Sequence, residues 1–124
     1  MFELTIKGQV YEFNFGMGFM REINKRVGQP VDGLPDVKKN IGLQYFVACI
    51  IDKDLEALVD VLDAANRGCT PRVTRALLDS HIDDESTDID ALFEDVLDFL
   101  ERANATKNVV KMLKEAVEAE KAKE

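Results

Sequence analysis

Tryptophan is absent from this chain, histidine occurs once, cysteine twice and proline three times. Each scarcity closes off a class of chemistry. One histidine cannot build a clustered imidazole site, and the sequence holds no Gly-x-Ser-x-Gly, no glycine-rich phosphate loop and no paired metal ligands at i and i+4. His81, between Ser80 and Ile82, therefore reads as an ordinary helix histidine rather than a general base. Cys49 and Cys69 are far apart and outside any Cys-x-x-Cys, which signals neither a disulfide framework nor zinc; both read as small buried hydrophobes. Long apolar runs are missing too. The longest, Ile41 to Ile51, falls well short of the ~20 residues of a membrane-spanning helix, and no charged-then-apolar leader opens the chain. Basic residues are in deficit, with 16 Lys and Arg against 24 Asp and Glu. That balance opposes nucleic acid and anionic membrane surfaces, because binding a polyanion by counterion release needs a basic footprint. The expectation is a cytoplasmic protein without cofactor or metal that binds other proteins.

What is present is enough for one folded domain. At 124 residues the chain supports a single core, and 46% apolar against 32% charged residues is the balance of a globular fold, not a disordered one. The first fifteen residues alternate: Phe2, Leu4 and Ile6, then Tyr11, Phe13 and Phe15, separated by polar residues. This pattern predicts a β-hairpin over 1–15. With Gly8 and Gln9 as the two loop residues of a type II′ turn, Ile6 faces Tyr11, Leu4 faces Phe13 and Phe2 faces Phe15, all on one side. Glu3, Thr5, Glu12 and Asn14 take the watered face.

Residues 16–117 read as helical. Phe19, Met20, Ile23 and Val27 keep helical spacing until Gly28, and Pro30, Gly33 and Pro35 mark a loop over 29–36. A helix over 37–51 is apolar almost all round, as a central core element is. Asp52 or Asp54 caps the next, with Leu55, Leu58, Val59, Leu62 and Ala65 as its stripe. Thr70 and Pro71 suggest a cap and first-turn proline for a short helix through Ile82, and Thr87 with Asp90 a capping box for a helix to Leu100. Thr106 caps the last helix, whose Val109, Val110, Met112, Leu113 and Val117 give way to a charged, frayed end over 118–124. The fold class is α+β and mostly α: a two-stranded hairpin packed on a bundle of five to six helices.

Two features invite functional readings. From Ala76 to Glu101 there are ten carboxylates and no Lys or Arg. A calcium loop running from Asp83 to Glu94 would put Asp88 where glycine is required and its second half inside a helix. A solvated helix face, with aspartates near N-terminal turns, accounts for the run better; a surface for a basic partner is the sharper alternative. The aromatic residues are also uneven, with Phe2, Tyr11, Phe13, Phe15 and Phe19 in the first nineteen positions. An isolated hairpin is marginal in water, so its own helices or a neighbour must cover that face, and its edges offer pairing sites for another copy.

The segments FELTIKGQVYEFNFGMGFMREINK, IGLQYFVACII, DLEALVDVLDAANRG, TPRVTRALLDSHIDD and DIDALFEDVLDFLERANATKNVVKML, in this order, resemble the tail assembly chaperones of long-tailed phages and of prophages in Gram-positive bacteria. The most specific part is the Phe-Gly-x-Gly-Phe turn of Phe15 to Phe19, followed by Arg21 and Glu22. The resemblance implies a non-enzymatic scaffold in the host cytoplasm. It would bind the tape measure protein, help recruit the tail tube protein, form a homo-oligomer and not remain in the mature virion. It transfers no catalytic or ligand residue. Residues singled out for partner contact are Phe13, Phe15 and Phe19 near the hairpin and Met112 and Val117 on the last helix. The competing reading is an acidic DNA mimic that inhibits a nucleic-acid-binding protein.

Overall fold

Alternation at the N-terminus is realised as β1 (Phe2–Ile6) paired antiparallel with β2 (Gln9–Phe13). The structure, a computed structural model, describes residues 2–27 and 41–122. The expected loop and pairing need correction. Lys7 and Gly8 form the turn, with φ of 52° and 81°; positive φ at both central residues is the type I′ geometry, whose twist matches the flanking strands. Phe2 consequently faces Phe13, and Leu4 faces Tyr11. Moving the loop back by one residue displaces each partner by two, so every side chain keeps its face. Phe2, Ile6, Tyr11, Phe13 and Phe15 are buried and Leu4 half-buried, while Glu3, Thr5 and Asn14 are exposed and Glu12 is half-buried.

Helix α1 (Met17–Lys25) follows and buries Phe19 and Ile23. The Gly28 stop, the 29–36 loop and the expected helical residues 37–40 lie outside the described residues. Helix α2 (Ile41–Ile51) is the central element, as its near-continuous apolarity demands: it packs against four helices, α1, α3 (Leu55–Asn66), α5 (Ile89–Arg102) and α6 (Lys107–Ala122). Its approach to α1 is backbone to backbone. A Cβ on Gly42 would sit 2.5 Å from Asn24 Cα and 2.6 Å from the Ile23 carbonyl, and the Leu43 N–H donates to Asn24 Oδ1 at 2.8 Å.

Asp54 caps α3 by accepting from the Ala57 N–H. The next two caps differ from the expected ones. Helix α4 (Arg75–Asp83) starts after Thr74, whose hydroxyl accepts from the Leu77 N–H. Pro71 is outside it because Asn66 holds the preceding segment: Nδ2 donates to the Pro71 carbonyl and Oδ1 accepts from the Val73 N–H. Helix α5 is capped by Asp88, which accepts from Ala91, while the Thr87 hydroxyl donates to the His81 carbonyl. Thr106 does precede α6. Its hydroxyl, fully buried, donates back to the Leu100 carbonyl at 2.6 Å and so ties the end of α5 to the start of α6. Helix makes up 66% of the described residues and strand 9%, so the class is mostly α. Cys49 and Cys69 are free thiols, half-buried rather than fully so.

Candidate partner-binding site

The three phenylalanines singled out at the N-terminal end belong to the core. Phe13 is 0% exposed and Phe15 and Phe19 are 4% each. They are held there by edge-on ring packing: Phe2 lies 5.7 Å from Phe13 and 6.0 Å from Phe15, and Phe15 lies 5.1 Å from Phe19. Most of their apolar surface is therefore already removed from water by their own chain. Met112 and Val117 are placed differently, exposed and half-buried on α6, a helix that fully buries Val110 alone. The structure thus does not bring the five residues together.

It does bring Phe13 and Phe15 to a shared opening. Between the hairpin and the C-terminal end of α5 lies a cleft of about 360 Å³. Phe2, Phe13, Phe15 and Phe99 line its apolar part, with Asn14, Gly16, Arg102 and Ala103 around it. Phe99 is the residue that the sequence reading passed over. It is half-buried, and its ring centroid stands 5.1 Å from that of Phe2. The three-residue step from Val96 to Phe99 is the signal in the sequence, but only the fold shows that this step turns the ring toward the hairpin. Arg102 lies over it, 4.4 Å from guanidinium carbon to ring centroid, and pairs with Asp98 at 2.9 Å.

A second polar constellation joins α1, α3 and the segment before α4. Asp63, 8% exposed, accepts from Arg26 at 2.7 Å and from Arg72 at 3.1 Å. Burial alone would raise its carboxyl, but the hydrogen bonds and charges of the two arginines outweigh that and hold it below the ordinary carboxylate value. Arg26 is pushed above its own ordinary value: burial opposes this, and Asp63 and Glu22 overcome it. Such a fully paired network positions elements. It offers no spare group for chemistry.

The surroundings of His81 are equally committed. Ser80 donates to the Leu77 carbonyl, Ser86 to Asp84 and Thr87 to the His81 carbonyl, so each hydroxyl serves a turn. Hydrogen bonds from Ser86, with a smaller contribution from His81, hold Asp84 below its ordinary value. Among the described residues, no three His, Cys, Asp or Glu side chains are grouped to hold a metal ion, and no helix is long and apolar enough to cross a membrane. In the acidic stretch Asp90 pairs with Lys53, Asp98 with Arg102 and Glu101 with Lys114.

A family model described as "Phage tail assembly chaperone protein, TAC" matches residues 3–115. No curated protein and no solved structure matches the chain.

Proposed function

Because the chain belongs to the phage tail assembly chaperone family, we propose that it binds the tape measure protein and helps recruit tail tube subunits around it. It does so without catalysis, in the cytoplasm of the host, and leaves before the virion is complete. The family match over 3–115 is the observation that carries this reading, since it spans the hairpin and nearly all of the helical part. Met112 and Val117 on α6, and the opening that Phe13 and Phe15 line with Phe19 packed behind, are the surfaces through which partners are engaged.

Self-association fits the hairpin's asymmetry. The outer edge of β2 is occupied, since the Asn14 N–H donates to the Ala65 carbonyl and Asn66 donates to the Glu12 carbonyl. Among the described residues β1 has β2 as its one strand neighbour, which leaves its other edge, with α4 packed nearby, as the edge for a second copy. An acidic DNA mimic would need an uninterrupted anionic face. The cations bonded to Asp90, Asp98 and Glu101 interrupt it.

Co-expression tests the proposal. The tape measure protein encoded in the same genome is expected to gain soluble yield when this chain is present, and an unchanged yield argues against the role.

A further inference from the structure

We propose that the aromatic cleft between the hairpin and the end of α5 docks a client segment that inserts one apolar side chain and carries lysine or arginine beside it. The client's identity rests on the tail-assembly reading; the chemistry of the site does not.

The floor is made of rings in an open triangle. Centroid distances are 6.0 Å between Phe2 and Phe15, 5.1 Å between Phe2 and Phe99, and 6.4 Å between Phe15 and Phe99. Phe13, fully buried, closes the bottom. A volume of about 360 Å³ lies at the small end of ligand pockets, ~300–1,000 Å³. That is room for one large apolar side chain and its immediate backbone, not for an extended hydrophobic surface.

Charge selects what surrounds that anchor. Among the described residues that line the cleft the one cation is Arg102, already engaged by Asp98 and by the face of Phe99. Asp95 is exposed one helical turn before Phe99; at this spacing it shares the side of α5 that carries Phe99. It belongs to the stretch from Ala76 to Glu101, which holds ten carboxylates and no Lys or Arg. An anionic segment approaching the cleft is repelled, and a segment with basic flanks is drawn in. An amphipathic helix meets both needs, because residues at i and i+4 place anchor and base on one face.

The test uses the full chain and three labelled helical peptides: one with a single Phe flanked by lysines, one with glutamates replacing the lysines, and one with Ala replacing the Phe. Fluorescence anisotropy is expected to show binding of the first and at least about tenfold weaker binding of the other two, with salt weakening the first. Ala103→Leu, which fills the cleft from its rim, and Asp95→Lys, on the surface, are each expected to cut binding about tenfold. Should Ala103→Leu fail to fold, Asp95→Lys decides. Equal binding of the three peptides, or undiminished binding by the folded variants, overturns the proposal, as does a cleft-dependent self-association that excludes the peptide. Co-expression separates the two levels. If both variants solubilise the tape measure protein as well as the parent chain does, the cleft assignment fails and the chaperone role stands; if the parent chain itself has no effect, the role fails.

Discussion

Asp63 is the residue on which three parts of the chain converge, and its environment gives stability a definite pH dependence. Its side chain is 11% exposed, so its pairs with Arg26 and Arg72 escape most of the screening that makes surface pairs weak. Its folded-state carboxyl lies below the ordinary value. A depressed folded value means the contribution is fully present above the unfolded value of about 3.9 and is lost as pH falls through the folded one. Asp63→Asn is expected to cost about 2 kcal/mol at neutral pH. The gap to the parent chain should then close in strongly acidic solution, as urea unfolding across pH would show. A gap that does not change with pH would mean the arginines are held by other partners. Neighbouring Asn66 is fully buried and uses both ends of its amide, donating to the Glu12 and Pro71 carbonyls and accepting from Arg72 and the Val73 N–H. Nothing in local sequence distinguishes it from any other asparagine at the end of a helix, because its partners lie up to 54 positions away.

Between elements, two contacts decide how tightly the layers close. Helices α1 and α2 meet where Gly42 has no Cβ, and Gly42→Ala would drive a methyl into the backbone of Ile23 and Asn24. Main chain cannot rotate away as a side chain can, so the variant is expected to lose about 1–3 kcal/mol, read as a lower urea midpoint. An unaffected midpoint would show that the two helices can separate freely. The hairpin contact is larger. Phe13 is fully buried against Phe2 and the helices, and Phe13→Ala is expected to cost about 3 to 5 kcal/mol; a loss below about 1 kcal/mol would place that face outside the core. Element type was readable here from periodicity, whereas element ends were not. Thr70-Pro71 and Thr87 both satisfy local rules for a helix start. The observed starts at Thr74 and Asp88 follow from Asn66 and the His81 carbonyl claiming the competing groups.

For the molecule as a whole, the question is whether net charge or ion pairs dominate. A formal charge of -8 favours expansion through self-repulsion, while the ion pairs among Lys53–Asp90, Arg75–Asp60 and Arg102–Asp98 are largely solvent-exposed and individually weak. Moderate salt screens both, and the net negative charge of -8 makes repulsion the more extensive term. The melting temperature is therefore expected to rise modestly with added sodium chloride. A fall would mean that ion pairing outweighs repulsion. Burial of the hairpin's aromatic face by the chain's own helices answers one question the composition raised, and among the described residues the large apolar side chains left exposed are Val10, Met17, Tyr45, Leu55 and Met112.

By itself the sequence determined which residues share a face. Period-two and period-3.6 patterns depend only on the geometry of strand and helix, so the hairpin's apolar side, the central α2 and the stripes of α3 and α5 follow from spacing, and survive even a turn displaced by one residue; Leu55, expected in the α3 stripe, is the exception, 46% exposed at the first residue of its helix. Tertiary structure alone decided which of those faces remain open. Exposure depends on what packs opposite, and that is fixed by contacts between residues far apart in the chain: Phe99 against Phe2, Asn66 against the Glu12 carbonyl, and Gly42 against α1.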